Sequence, residues 1–408
     1  MTRPIAARTN HDHFGFYQIG PYKTYSKIEA IEISARTGTD LKWNFNDAVF
    51  ENFNWKIEPP GDLSFYYGER ARQIRDKYDY LVLMYSGGAD SWNMLKAFVD
   101  NNIYVDEIAH YVVKEETPLT LQEHWNAEIL KTSYPTAKHL IETNPTYRTT
   151  VQRVIDGGPL VIQKISTANP HDYFYQEGGF FFGAWGTTFA EIRHTVHDYQ
   201  QLIDKKKSVC FVWGYDKPTL TVNNQNKWQF HFSESASTMY VKPKHQFENR
   251  QDKFDEAFYW SPDMPEIPVK QAHLLKKYVE KLQYTDVDNF FVKKISEPPI
   301  TYHINFVRNN QLLMLTADAI HKLIYPGWDI NSVVASKPSS PTLSDKDQWW
   351  FRDLNDKRTS WYVRGILDLK QRIKKIHPKW WFEHRFDPAN PGSFRAGITP
   401  CRNSYDIN

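Results

Sequence analysis

The sequence predicts an α/β fold with a doubly wound, mostly parallel sheet, and the pattern of its apolar runs supports this. Residues 80–85 are continuously apolar, which is typical of a strand buried on both faces of a parallel sheet. A helical pattern follows, and a second apolar stretch occupies residues 103–113. This order of strand, loop, helix and strand is the βαβ unit of a doubly wound sheet. Further strands are predicted at residues 160–165 and 208–213, with a long helix at 187–204 between them.

Three regions are expected along the chain. Residues 61–235 should form the α/β domain, residues 1–60 a small N-terminal α+β segment, and residues 236–408 a mainly helical C-terminal region. The turn-rich stretch at residues 58–62 marks the first boundary, and an amphipathic helix is predicted at residues 63–77. The helices expected in the C-terminal region are residues 271–282, 312–323 and 361–376. The tail, which contains Pro388, Pro391 and Pro400, is expected to lie extended on the surface.

The composition is that of an ordinary globular protein. The chain has 408 residues, a formal net charge of +2 and two cysteines. These values argue against a disulfide scaffold and against a field that would draw the whole chain to nucleic acid. The sequence lacks an apolar run of membrane-spanning length and a secretory signal, so a cytoplasmic protein is expected. Specific nucleic-acid binding and a homodimer both stay open, and the tryptophan pairs at 349–350 and 380–381 are expected in a core or interface.

Six residues after the first predicted strand have the chemistry of an anion-binding turn. We call residues 86–91 the glycine loop; it consists of Ser86, Gly87, Gly88, Ala89, Asp90 and Ser91. Two glycines allow a sharp turn and close approach of a ligand to the backbone. Successive N–H groups and the start of a helix would then face an anion such as pyrophosphate. The alternative is a tight turn without a ligand, in which Asp90 simply caps the helix.

The glycine loop is neither a Walker loop, which needs GxxxxGK[ST], nor a GxGxxG dinucleotide fingerprint. A strand followed by SGGxDS resembles the PP-loop of the ATP pyrophosphatases, which are adenine nucleotide α-hydrolase-like proteins of the HUP type. That superfamily includes asparagine synthetase, GMP and NAD synthetases, tRNA thiolases and PAPS reductase. The resemblance covers about residues 80–113, and the chain also looks similar to uncharacterised PP-loop proteins of large tailed phages.

The resemblance implies an ATP and Mg²⁺ site. Ser86, Gly87, Gly88 and Ser91 would hold the β- and γ-phosphates, and Asp90 would lie near the metal or brace the loop. The implied reaction is adenylation of an acceptor, a carboxylate or a nucleobase, with release of pyrophosphate and then ligation or amide formation. Met1 is followed by Thr2 rather than by a catalytic cysteine, so ammonia or an amine is expected from a separate donor.

A second loop follows the strand predicted at residues 208–213. Ligands of open α/β sheets bind beyond the carboxyl ends of the strands, so this loop should share an edge with the glycine loop. Asp216 would bind Mg²⁺ or orient the nucleophile, and Lys217 would neutralise charge on the α-phosphate in the transition state. The alternative is a β-turn with a solvated Asp–Lys pair.

Other candidates carry weaker signals. The aromatic stretch at residues 258–263 could wall a substrate pocket that Lys270 or His273 would face, although packing is the commoner explanation. Arg193 could reach the phosphates, and His194 with His197 has the i, i+3 spacing of two metal ligands but lacks a third.

Two alternative functions remain open on the sequence. A sulfur-transfer or PAPS reductase-like enzyme would need a reactive thiol, for which Cys401 in the tail is the exposed candidate, whereas Cys210 is expected to be buried in a strand. A nucleotide-binding module without turnover would keep the loop but release no pyrophosphate.

Overall fold

The structure is a computed structural model of the chain, and its described residues fall in thirteen ranges. They are 11–112, 129–156, 199–214, 217–222, 227–234, 253–281, 290–293, 304–308, 311–315, 317–328, 357–384, 395–398 and 401–408. The strand expected at residues 160–165 and most of the helix expected at 187–204 lie outside them.

A parallel sheet of five described strands forms the centre of the fold. Its strands are β4 (Tyr80–Met84), β5 (Glu107–Val112), β6 (Val151–Asp156), β7 (Val209–Trp213) and β10 (Lys253–Ala257). They lie in the order β10-β7-β4-β5-β6, and all neighbours run parallel. β5 and β7 are buried at every position, as strands covered on both faces should be. The prediction of an α/β fold with a parallel sheet is confirmed.

The strand order places a switch point next to β4. From β4 the chain adds β5 and β6 on one side, then returns to add β7 and β10 on the other. Ligands of doubly wound sheets bind at the carboxyl ends of the strands where the order reverses. Met84 and Trp213 are paired in register, so the loops that follow β4 and β7 leave the sheet side by side.

Helices surround this sheet. They are α3 (Leu63–Lys77), α4 (Ala89–Asp100), α5 (Tyr134–Thr143), α6 (Gln200–Asp204) and α7 (Glu266–Lys281). α3 has the predicted bounds, and its buried residues include Leu63, Tyr67, Ala71 and Ile74. Their spacing of three or four residues keeps them on one face of the helix.

The N-terminal segment has the expected α+β character. Strands β1 (Phe16–Ile19), β2 (Tyr22–Thr24) and β3 (Leu41–Asn44) form an antiparallel sheet, accompanied by helices α1 (Lys27–Thr37) and α2 (Asp47–Phe50). Aromatic rings join this segment to the rest of the core. Trp55 stacks on Tyr405 with ring centroids 4.5 Å apart, and Phe50 lies 4.5 Å from Phe232.

The described part of the C-terminal region contains strands as well as helices, and two strands that precede residue 236 join its strands in a second sheet. A mixed sheet has the order β11-β13-β12-β8-β9-β16, and a separate hairpin pairs β14 with β15. These strands are β8 (Thr219–Val222), β9 (Trp228–Ser233), β11 (Phe290–Lys293), β12 (Ile304–Arg308), β13 (Gln311–Leu315), β14 (Trp381–His384), β15 (Arg395–Ile398) and β16 (Arg402–Asp406). Helices α8 (Ala317–Ile324) and α9 (Lys357–Ile376) accompany them.

Two local predictions fail for physical reasons. The helix expected at residues 312–323 is instead strand β13 followed by α8, because a short apolar run fits a strand and a buried helix equally well. The tail is extended, as expected, but β16 pairs with β9 and buries Ile407 nearby. The parallel sheet also takes β10 from beyond residue 235, so the sheet extends past the expected limit of the α/β domain.

None of the helices in the described residues is both long enough and apolar enough to cross a membrane.

Candidate functional site

The glycine loop lies directly beyond the carboxyl end of β4, at the switch point. Gly87 has a φ of +79°, a left-handed conformation that glycine adopts at little cost. A Cβ at Gly87 would lie 2.9 Å from Cβ of Ser133, so a larger residue is excluded by space as well as by backbone geometry. Ser86 is exposed, and its Oγ lies 3.1 Å from Oγ of Ser91 and accepts from the Gly88 amide at 3.2 Å.

Helix α4 starts from this turn. Gly88 occupies the N-cap position with φ −71° and ψ 164°, and its carbonyl accepts from the Trp92 amide at 2.8 Å. The first N–H groups of a helix have no partner within the helix and carry its positive dipole end. Together with the Ser86 hydroxyl they form a donor set that fits a phosphate group.

Asp90, in the first turn of α4, is held by three donors. Lys217 donates from Nζ to Oδ2 at 2.6 Å, Tyr325 donates its hydroxyl proton to Oδ1, and Tyr259 donates to the main-chain carbonyl at 2.7 Å. Burial alone would raise the pKa of Asp90, but the charges of Lys217 and His321 and the hydrogen bonds from Lys217 and Tyr325 outweigh it and hold that pKa below its usual value. Asp90 is therefore an ionised carboxylate.

The second predicted loop does face the glycine loop. Lys217, four residues after the end of β7, reaches Asp90 across the switch point with its side chain 12% exposed. Gly214 makes this approach possible, since a Cβ there would lie 2.9 Å from the Asp90 carbonyl oxygen. Asp216 lies outside the described residues, and so do Arg193, His194 and His197.

Three buried tyrosines lie beside Asp90, and two of them, Tyr67 and Tyr325, were not expected at the site. We call Tyr67, Tyr259 and Tyr325 the tyrosine cluster; they come from α3, from the segment after β10 and from the end of α8. The aromatic stretch at residues 258–263 was expected to wall a pocket, but no sequence signal marked Tyr325, which is 235 residues from Asp90 along the chain.

A second network supports the glycine loop from the β5 side. The Ser133 hydroxyl donates to the Tyr85 carbonyl at 2.8 Å and lies 2.7 Å from Nδ1 of His110, whose Nε2 lies 3.0 Å from the Gln152 amide nitrogen. Burial lowers the pKa of His110 to about 4, so His110 is neutral at physiological pH. Because Gln152 can only donate from that nitrogen, the proton of His110 is on Nδ1 and points to Ser133 and Tyr85.

The remaining candidates serve the packing of other regions. Lys270 donates to Oε1 of Glu58 at 2.7 Å, and His273 bonds the Trp55 carbonyl at 2.9 Å, so both tie α7 to the N-terminal segment. The ammonium of Lys27 lies over the Trp380 ring, 5.2 Å from the ring centroid.

Neither cysteine has the surroundings of a reactive thiol. Cys210 is buried in β7, and burial raises its pKa well above the usual value. Burial next to Glu234 raises the pKa of Cys401 to about 12. Since the thiolate is the reactive species, both cysteines are unreactive thiols near neutral pH.

The described residues hold no group of three or more histidine, cysteine or carboxylate side chains that could bind a metal. Asp90 alone fits one contact to Mg²⁺, because each carboxylate oxygen has a second lone pair beside the one that accepts from Lys217 or Tyr325. The other ligands would be phosphate oxygens and water, which Mg²⁺ ordinarily keeps.

Comparison with protein-family models and with curated protein sequences finds no match to this chain.

Proposed function

We propose that the protein is an ATP pyrophosphatase of the PP-loop type, which binds ATP on the glycine loop and cleaves it between the α- and β-phosphates. The observation that carries the proposal is the position of the loop. A strand–SGGADS–helix turn lies at the switch point of a doubly wound sheet, where Lys217 from the adjacent strand's loop reaches its first helical turn. This combination of backbone donors, helix start and neighbouring cation suits a polyphosphate and its transfer chemistry.

In this proposal the residues divide the work. The backbone of residues 86–89 and the Ser86 and Ser91 hydroxyls bind the β- and γ-phosphates. Lys217 lies where negative charge would grow on the α-phosphate, and Asp90 fixes its ammonium group. Mg²⁺, held by Asp90 and phosphate oxygens, would neutralise part of the charge on the leaving pyrophosphate. An oxygen of the acceptor, a carboxylate or a nucleobase, attacks the α-phosphorus and pyrophosphate leaves. An amine or ammonia then attacks the adenylated carbon of the acceptor and AMP leaves.

The sulfur-transfer alternative has less support. A PAPS reductase-like or thiolase reaction needs a thiolate, and the pKa of Cys401, raised to about 12 by burial and Glu234, leaves almost none at neutral pH. Removal of Cys401 as Cys401→Ser should therefore leave nucleotide cleavage intact.

An analysis of ATP cleavage products tests the proposal against a nucleotide-binding module without turnover. The full chain is incubated with Mg²⁺, ATP labelled in the α-phosphate, an ammonium salt, and a panel of carboxylates and nucleobases. Formation of AMP and pyrophosphate supports the proposal, whereas ADP and phosphate, or no cleavage with any acceptor, contradicts it.

A matched pair of glycine variants ties that activity to the loop. Gly87→Ala should weaken ATP binding by about 10-fold or more, since a Cβ would press on Ser133 and distort the glycine loop. Gly61 has the same φ of +79° but open space around it, so Gly61→Ala carries the same backbone strain without touching the site. Isothermal titration with ATP and Mg²⁺ measures both variants. Equal affinities for Gly87→Ala and wild type would show that the nucleotide binds elsewhere.

A further inference from the structure

Asp90 connects the glycine loop to three separate parts of the chain. Its Oδ2 accepts from Lys217 after β7, its Oδ1 from Tyr325 after α8, and its carbonyl oxygen from Tyr259 after β10. Lys217 brings a positive charge to the loop, whereas Tyr325 and Tyr259 are neutral hydroxyl donors to Asp90. The two tyrosines can therefore act on the site only through the position of Asp90.

Packing and hydrogen bonds hold the tyrosine cluster in place. Tyr325 and Tyr259 are 1% and 0% exposed, and their ring centroids lie 5.6 Å apart. Asn93 donates to the Tyr259 hydroxyl at 3.0 Å. Tyr67 donates to the Ile324 carbonyl at 2.7 Å, which fixes the residue before Tyr325. These contacts hold the Tyr325 ring in place, and its hydroxyl donates to Oδ1 of Asp90.

The donor character of Tyr325 does not change in the physiological pH range. Burial, with the charge of Asp90, raises the pKa of Tyr325 well above its usual value, so the hydroxyl keeps its proton. A hydrogen bond to an ionised carboxylate is shorter and stronger than one between neutral groups. This bond holds the carboxylate plane, and the position of Oδ2 in turn sets where the ammonium of Lys217 lies.

We propose that Tyr325 is a positioning residue of the ATP site: by binding Oδ1 of Asp90 it fixes the carboxylate that places Lys217 beside the glycine loop. Helix α8, from the C-terminal region, thereby completes a site whose loop belongs to the parallel sheet. This inference rests on the proposed function for its catalytic consequence, but the positioning itself can be measured without nucleotide.

The decisive variant is Tyr325→Phe, which removes the hydroxyl and keeps the ring. The matched control is Tyr147→Phe, because the buried Tyr147 hydroxyl donates to the Ile103 carbonyl at 2.7 Å, away from the loop. Both variants lose one buried hydroxyl, so a similar fall in melting temperature is expected. Only Tyr325→Phe should speed amide hydrogen exchange of residues 86–92 in the nucleotide-free protein.

In turnover, Tyr325→Phe should lower kcat for AMP formation by roughly 10- to 100-fold, since small misplacements of a catalytic group have effects of that size. The KM for ATP should stay within about threefold. In a Lys217→Met background the same substitution should have little further effect on kcat, because the ammonium that it positions is gone. A purely structural role would instead lower kcat equally in both backgrounds.

The outcomes separate the two proposals. If the wild type forms no AMP but Tyr325→Phe still loosens residues 86–92 selectively, the ATP pyrophosphatase proposal fails and the positioning contact stands. If the wild type forms AMP and Tyr325→Phe matches Tyr147→Phe in exchange and in kcat, Tyr325 is not a positioning residue.

Discussion

At the scale of single residues, the site is built around the pairing of Asp90 with Lys217. An ion pair 2.6 Å long with side chains 25% and 12% exposed is partly shielded from water, so its charges act more strongly than those of a surface pair. In the proposed reaction the ammonium matters most when negative charge grows on the α-phosphate. An interaction that is stronger in the transition state than in the ground state raises kcat without tightening substrate binding.

Lys217→Met tests this role of the ammonium group. Turnover should fall on the order of 100- to 1,000-fold, as after loss of one preorganised donor, while the Kd for ATP stays within about threefold. Single-turnover measurement of AMP formation and isothermal titration give the two values.

The chain offers a matched control in Lys270→Met. Lys270 is 11% exposed and pairs with Glu58 at 2.7 Å, so its removal disrupts a similar ion pair far from the proposed chemistry. Normal turnover in Lys217→Met, or an equal loss in Lys270→Met, would show that Lys217 is not the catalytic cation.

At the scale of elements, the close packing of β7 against the start of α4 positions the site. Gly214 directly follows β7 and lies against the first turn of α4. The atoms that a Cβ there would meet are backbone, with Asp90 O at 2.9 Å and Ser91 Cα at 3.0 Å. Backbone in a helix held by Tyr259 and Lys217 cannot easily give way. The distance between strand and helix therefore depends on this glycine.

Gly214→Ala should displace the first turn of α4 and weaken ATP binding on the order of 10-fold, the effect expected of overpacking by one methyl group. Gly68→Ala is the control, because its Cβ would meet the Asn101 side-chain oxygen at 2.6 Å, and a side chain can rotate away. Titration with ATP and Mg²⁺ compares them. Wild-type affinity for ATP in both variants would show that the packing of Gly214 against α4 does not position the site.

The same elements show how far sequence reasoning reaches. β4 and β7 were predicted because strands buried on both faces are continuous apolar runs. β6 was missed because its sequence, Val-Gln-Arg-Val-Ile-Asp, has only one buried position, and β10 was missed in a region expected to be helical. Asp90 and Lys217 were found from a motif and from loop order. The aromatic stretch that contains Tyr259 was considered as a pocket wall, but the hydroxyl contacts of Tyr259 and Tyr325 with Asp90, 169 and 235 residues apart, leave no local pattern.

At the scale of the whole molecule, buried charges join the parallel sheet to its surrounding helices. Glu256, on edge strand β10, accepts from Arg70 at 2.6 Å and from Lys77 at 2.7 Å, both on α3. Arg70 is fully buried and Glu256 only 2% exposed, so each needs the other: a buried charge without its partner is strongly destabilising. This pair makes the docking of α3 on the sheet sensitive to acid.

The pH dependence follows from the pKa of Glu256. Burial acts to raise it, but the charges of Arg70 and Lys77 outweigh burial and lower the pKa from 4.5 to about 2. A carboxylate with a lowered pKa in the folded state contributes its full stability above pH 4.5. That contribution is lost as the pH falls toward 2, by up to about 1.4 kcal/mol per pH unit.

Glu256→Gln should therefore lower the free energy of unfolding by about 3 kcal/mol at pH 7, because it leaves the buried Arg70 with only the more distant and partly exposed Asp263, 3.6 Å away, as counter-charge. The difference from wild type should shrink by about 1 kcal/mol between pH 5 and pH 3.5, where the unfolded wild-type chain takes up a proton that the folded chain resists. Urea unfolding at both pH values measures this difference in the free energy of unfolding.

Glu69→Gln is the control. Glu69 pairs with Arg72 on the surface, with side chains 38% and 48% exposed, so the substitution should lower the free energy of unfolding by less than about 1 kcal/mol. A Glu256→Gln deficit that stays constant with pH, or one no larger than that of Glu69→Gln, would mean that this buried pair does not link α3 to the sheet.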